Sequence, residues 1–343
     1  METSSRDYDE NCQSPTMPLQ SPVSQLSSTI IRVYLLGPLS LFGVVANLIN
    51  IIVFSRMNKR LTVNISLLAL AVSDCLGLLG TLWTSICLHP LVLKSNNLPF
   101  IPEEIEFVTG TWIHLVFINI TKSLTFIICA ERCLCILLPM KVKILITVRR
   151  IKVIICFLFL WGVASQYIML HTTRVVWKFS EERNATLLGT KLMENWGKIQ
   201  LPFLVVKNIV SHYIISFGIA IMTVINVVKL RLQSKWRQSV SQTRTSATIT
   251  RRDSRVASTV IAICVIFLLC FLPGSVMFTA TLTVPGLNRV GRHREMFEGF
   301  VSVLILLQNV NSSVNIFVYF IINAQYRQEF AQLCGRCRKR NPP

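Results

Sequence analysis

An acid and a base stand side by side, Glu131-Arg132, near the far end of an apolar run that opens at Trp112. A guanidinium keeps its proton, so within a low-dielectric region it must find an anion. Two carboxylates qualify: the adjacent Glu131, and Asp253, which precedes Pro273 by twenty residues. A further carboxylate, Asp74, lies deep in a second apolar run, where it must be protonated, paired or bound to a cation. Lys122 is a cation at comparable depth, one residue beyond Thr121. The chemistry these groups offer is charge pairing and its release. No catalytic constellation accompanies them, and the chain is read as a non-enzyme.

The elements that hold these charges are set by composition. Of 343 residues, 52% are apolar and 15% charged, with a mean hydropathy of +0.55. A soluble chain carries about 25% charge, so a membrane protein is the class that fits. The net charge of +19 does not indicate nucleic-acid binding, because the cations gather in short loops rather than on a soluble face. Seven apolar segments, at about 30–55, 62–88, 107–138, 151–170, 202–231, 256–284 and 297–322, are each long enough to span a bilayer. Lysine and arginine follow the first, third, fifth and seventh, which puts those loops in the cytoplasm and the amino terminus outside. The domain plan is therefore a disordered extracellular tail (1–29), a helical bundle (30–322), an amphipathic helix (323–334) and a basic cytoplasmic tail (335–343). The first of these has no apolar core and is not a cleavable signal peptide.

The eleven cysteines make no disulfide framework and no zinc spacing, and most lie in apolar runs as small hydrophobes. Cys334 and Cys337 follow an amphipathic segment and are palmitoylation candidates. Of four Asn-x-Ser/Thr matches, Asn184 alone falls in a long polar loop on the outer face and is the accessible glycosylation acceptor.

Motifs in six of the seven spans together resemble the rhodopsin-like G-protein-coupled receptors. They are Asn47; Leu70-Ala71-Val72-Ser73-Asp74; Glu131-Arg132-Cys133 with Pro139; Trp161; Phe267 through Phe271 to Pro273; and Asn311-Ser312-Ser313-Val314-Asn315-Ile316-Phe317-Val318-Tyr319. Tyr326-Arg327-Gln328-Glu329-Phe330 is similar to the start of that family's surface helix. Glu131 to Lys143 is most similar to invertebrate, molluscan chemosensory and neuropeptide-type receptors.

The resemblance implies an all-α, seven-transmembrane bundle with a short amphipathic eighth helix. It also implies an activation switch at Glu131, Arg132, Asp253, Phe267, Phe271, Pro273, Asn315 and Tyr319, in which Arg132–Asp253 ties the third span to the sixth at rest. Asn47, Thr121, Asn311, Ser312 and Asn315 stand where that family places a sodium ion beside Asp74. Three arrangements satisfy Asp74: sodium, an ion pair with Lys122, or protonation with water. The implied ligand pocket holds His114, Ile118, Phe271, Phe278, Ile305 and Gln308. His114 replaces the aspartate of amine receptors, so the ligand is a peptide or chemosensory small molecule. Arg132, Ile136, Pro139 and Met140 are the implied contacts for a heterotrimeric G protein, with arrestin and a receptor kinase as further partners. The family's outer disulfide has neither of its cysteines here, which predicts an untethered second outer loop. Phe271, Ile316 and Asn226 also depart from the family pattern, and a non-coupling scaffold or decoy is the alternative; a transporter fits less well.

Overall fold

The computed structural model describes residues 29–59, 61–181, 183–193, 202–203, 205–207, 209–239, 244–287 and 291–340. An apolar run in hydrocarbon has no water for its amides, so each closes its own hydrogen bonds as a helix. Among the described residues seven long helices result. They are α1 (Leu36–Arg56), α2 (Thr62–Cys87), α3 (Trp112–Leu137), α4 (Val148–Ala164), α5 (Ile215–Ser239), α6 (Arg244–Thr283) and α7 (Arg294–Ile322). Single π-helical segments lead into α1, α3 and α5 at Ile30–Leu35, Phe107–Thr111 and Ile209–Ile214. Six of the seven carry an apolar stretch long enough to cross a membrane. The short one is α4, with 17 residues, and Tyr167–Thr172 follows it.

Polarity is turned inward. On α1, Ser40, Gly43, Asn47 and Asn50 are buried while Leu41, Phe42, Val45, Leu48 and Ile52 are exposed. This helical periodicity is that of a helix with lipid on one side and polar partners on the other. The third helix is central, touching α2, α4, α5 and α6, while α7 packs on α1, α2 and α6. Glycine permits a close backbone approach between α2 and the start of α3. A Cβ on Gly80 would sit 2.8 Å from the Gly110 carbonyl oxygen and 2.9 Å from the His114 nitrogen, both backbone atoms.

Local chemistry ends the helices. Leu138, before Pro139, leaves the helical region at φ −129°, ψ 59°, as a pre-proline residue must, and Pro139 opens the short helix Pro139–Leu145. Thr147 caps α4 by accepting the Arg150 N–H. Asn323 closes α7 and caps the next helix, accepting the N–H groups of Gln325 and Tyr326 at 3.1 Å each. That eighth helix, α8 (Ala324–Arg340), runs past the expected boundary at 334. With no proline before Asn341, nothing in the basic segment breaks it, so most of the expected tail is helical.

The loop after α4, expected to be an untethered outer loop, corrects another expectation. It forms an antiparallel hairpin, β1 (Thr173–Ser180) with β2 (Ala185–Leu192), in which Trp177 faces Leu188. Asn184 turns the corner at φ 46°, a left-handed conformation asparagine tolerates, and is exposed there. The hairpin is tethered without sulfur. Leu188 exchanges backbone hydrogen bonds with Pro99 (3.0 Å) and Ile101 (2.9 Å). Glu104 accepts the Thr190 N–H at 2.7 Å and pairs with Lys178. A loop read as free because it lacks cysteine is held by strand pairing and one carboxylate.

Candidate functional site

Asp74 is 1% exposed, near the middle of α2. Its Oδ1 accepts from the Thr121 hydroxyl of α3 at 2.8 Å and the Ser312 hydroxyl of α7 at 2.9 Å; Oδ2 accepts from Asn315 Nδ2 at 3.0 Å. One carboxylate therefore joins three helices. Asn47 of α1 adds a fourth, donating to the Gly43 and Ser312 carbonyls at 2.9 and 2.8 Å. Four of the five groups expected around Asp74 are thus in one network. Asn311 is buried nearby in sequence on α7, and its Oδ1, like that of Asn315, has no hydrogen-bond partner. The carboxylate, the Thr121 and Ser312 hydroxyls and the two unpartnered amide oxygens are ligand types that fit a hard cation such as sodium.

Lys122 does not pair with Asp74. It lies one residue, about 100° of helical rotation, past Thr121, and that turn carries its stem away from Asp74 toward Ser211. Its ammonium donates to Ser211 Oγ at 2.8 Å and sits 5.1 Å from the Phe271 ring centroid. Ser211 in turn donates to Asn119 Oδ1 at 3.0 Å.

At the other end of α3, Glu131 turns toward α2, where Ser66 donates to its Oε2 at 3.2 Å. Among the described residues Glu131 and Arg132 make no N–O contact within 4.0 Å. Adjacent helix positions diverge, which leaves Arg132 half-buried with its Nε unpartnered. Asp253 is on α6, but its side chain lies outside the described ones, as do those of Pro139 and Met140. Ile136 is half-buried one turn beyond Arg132. On α6, Phe267 and Phe271 stack with centroids 4.4 Å apart, one turn before Pro273, whose missing N–H breaks the helix ladder. Tyr319 of α7 meets Phe54 edge-on at 4.9 Å.

The expected ligand residues divide. His114 Nε2 meets Gln308 Oε1 at 3.0 Å and Nδ1 meets the Gly77 carbonyl at 3.3 Å, so the ring bridges α2 and α7; a neutral imidazole donates to only one of these two oxygens. Ile118 and Phe271 are buried and Ile305 half-buried. Phe278 stacks on His212 of the α5 lead at 6.0 Å. None of these six lines a cavity of about 220 Å³ that opens between α3, α4 and α5.

Sequence reasoning passed over Asn50 and the docking role of Tyr326. The Tyr326 hydroxyl donates to Asn50 Oδ1 at 2.7 Å, locking α8 onto α1. A buried amide three residues after Asn47 was the available signal. Asn226 of α5, where a tyrosine is usual, donates to the Cys129 carbonyl of α3 at 3.5 Å. Cys334 is exposed on α8, and the Cys337 side chain lies outside the described ones.

A bundle of seven helices whose polar side chains converge on one inward carboxylate, with an arginine at the end of the central helix, defines a multi-pass membrane receptor. The chain belongs to the serpentine type 7TM GPCR chemoreceptor Srw family, whose model matches residues 37–337. It is also similar to a QRFP-like peptide receptor of Branchiostoma floridae, at 24% identity over 299 residues, 85% of this chain and 73% of that protein.

Proposed function

We propose that this receptor sits in the plasma membrane with its hairpin end outside, binds a peptide or small chemosensory ligand there, and activates a heterotrimeric G protein at the Arg132 end. The observation that carries this reading is the Asp74 network. A carboxylate shared by Thr121, Ser312 and Asn315 makes the relative positions of α2, α3 and α7 interdependent. A ligand that favours one arrangement at the hairpin end therefore biases the other end by its differential affinity alone. Sodium at Asp74, held with Thr121 and Ser312, would stabilise the resting arrangement. Release of Arg132 from Asp253 as α6 moves outward would open the cleft in which Arg132, Ile136, Pro139 and Met140 meet the G protein. Arrestin and a receptor kinase would then act on the same end. The peptide part of the ligand class is supported by the name of the lancelet relative and the chemosensory part by the family. Glycosylation at Asn184 suits its exposed turn, and palmitoylation at Cys334 and Cys337 would pin α8 to the bilayer.

The test is nucleotide exchange by purified G proteins in the presence of the reconstituted receptor, screened with peptide and odorant libraries. Ligand-dependent exchange with at least one Gα class is the expected outcome. A receptor that binds a ligand saturably and drives no exchange would instead be a non-coupling decoy, the outcome that Phe271, Ile316 and Asn226 make worth testing.

A further inference from the structure

Lys122 is 3% exposed near the middle of α3, a depth at which a cation is costly unless it is paired or faces a cavity. Among the described residues no carboxylate lies within 4.0 Å of it or of Lys207; the salt bridges there join Lys178 to Glu104 and Arg294 to Glu298. The ionisable neighbours of Lys122 are themselves basic: the Lys207 charge acts on Lys122, and the Lys122 charge on His212 and His114. Two lysine amines buried near one another with no carboxylate beside them create a standing attraction for an anion, which would favour the charged form of both.

A cavity adjoins them. The opening between α3, α4 and α5, about 220 Å³, is lined on its polar side by Lys207, Ser211, Asn119, Ser123 and Ser165. Lys122 reaches this wall through its 2.8 Å bond to Ser211. The rest of the lining is apolar and leads outward, through Trp161, Val206 and Val210, which are 61%, 62% and 42% exposed on the apolar girdle. Close contact of α3 and α4 behind the cavity depends on Gly162, where a Cβ would come within 2.6 Å of the Ile120 side chain. The void is below the ~300–1,000 Å³ of ordinary ligand pockets, so it takes a headgroup and the start of a chain rather than a whole ligand.

We propose that this cleft binds a long-chain carboxylic acid drawn from the bilayer, its carboxylate held at Lys207, with the Ser211 hydroxyl turning its one proton from Asn119 to it, and its chain lying against Trp161, Val206 and Val210. Charge selects the class of ligand, because a neutral alcohol of equal length would leave both ammonium groups uncompensated. A sideways opening selects the route, since the apolar mouth faces acyl chains. The carboxylate also gives Lys122 a counter-charge across Ser211, so occupancy bears on the Phe271 ring that the ammonium faces.

The site is tested on the purified receptor in phosphatidylcholine nanodiscs, with radiolabelled oleate as the probe and no G protein, so its failure is separate from any failure of the signalling reading. Saturable binding of one oleate per receptor is expected, displaced by unlabelled oleate and not by oleyl alcohol. Lys207→Gln should weaken binding about tenfold or more, the size of one charge-assisted hydrogen bond, with Lys207→Arg retaining it. Val206→Trp, at an exposed position, should fill the mouth and abolish binding while the receptor melts as before. Displacement by oleyl alcohol as effective as by oleate overturns the proposal. So does undiminished oleate binding in either Lys207→Gln or Val206→Trp.

Discussion

Glu104 Oε2 accepts the backbone N–H of Thr190 at 2.7 Å, tying the entry to α3 to the second strand of the hairpin. The same carboxylate pairs with Lys178 of the first strand. The link joins the segment leading into α3 with the loop after α4, the two places that a disulfide unites in the rhodopsin-like receptors. A covalent bond is insensitive to pH and competition; a half-exposed ion pair is not. This receptor's loop is therefore restrained by a linkage that water and salt can weaken.

Replacing Glu104 with alanine removes an acceptor from Thr190 and a partner from Lys178. Hydrogen bonds to charged groups contribute about 1.5–3 kcal/mol, so amide exchange at Thr190 should speed up by about tenfold or more. Hydrogen-exchange mass spectrometry over 185–192 reads this directly. Unchanged exchange would mean that the Leu188 backbone bonds alone hold the hairpin.

Sodium should stabilise the receptor through Asp74. Comparison of melting in sodium chloride and choline chloride is expected to favour sodium by about 2–3 kcal/mol near 100 times the dissociation constant. Asp74→Asn keeps the shape of the side chain, loses its charge, and should abolish the difference. A wild-type receptor that melts alike in both salts excludes the ion.

Arg132 has a half-buried guanidinium with an unpartnered Nε and no contact to Glu131. If Asp253 supplies its counter-charge at rest, Asp253→Ala raises ligand-independent nucleotide exchange several-fold, within the ~5–150-fold range of typical coupling energies. Basal exchange equal to wild type at matched expression would remove the lock from the mechanism.

Tyr326→Phe keeps the ring against Phe54 and Tyr319 and deletes only the hydroxyl that donates to Asn50. Asn50 Oδ1 then loses its closest donor, at a cost of about 1–3 kcal/mol. Thermal melting should register the loss, and faster exchange in α8 should accompany it. A melting curve unchanged from wild type would show that α8 docks on its apolar contacts alone.

Much of the site could be read from residue types because the demands on them are local and severe. Asp74, Asn47, Thr121, Ser312 and Asn315 are polar groups in hydrocarbon, and such groups have nowhere to turn but toward one another. Lys122 was harder to place, since a flexible stem allows several partners and the choice fell to Ser211 and Phe271, contributed by α5 and α6. Glu104 looked like a loop residue and Tyr326 like the start of a membrane-surface helix; the partners that give them meaning, Thr190 and Asn50, are 86 and 276 positions away in the chain.

The amino-acid order by itself determined a seven-helix bundle and which residues must face inward, because a bilayer leaves the backbone one solution and polar side chains one direction. It did not set the helix ends, since the fourth helix stops at Ala164 rather than 170 and the sixth starts at Arg244 rather than 256. Only the tertiary structure decided which inward groups meet. It set Lys122 beside a basic cluster and a lipid-facing cleft, and it tethered the cysteine-free loop, because the rotation of one helix against its neighbours is settled by packing among distant segments.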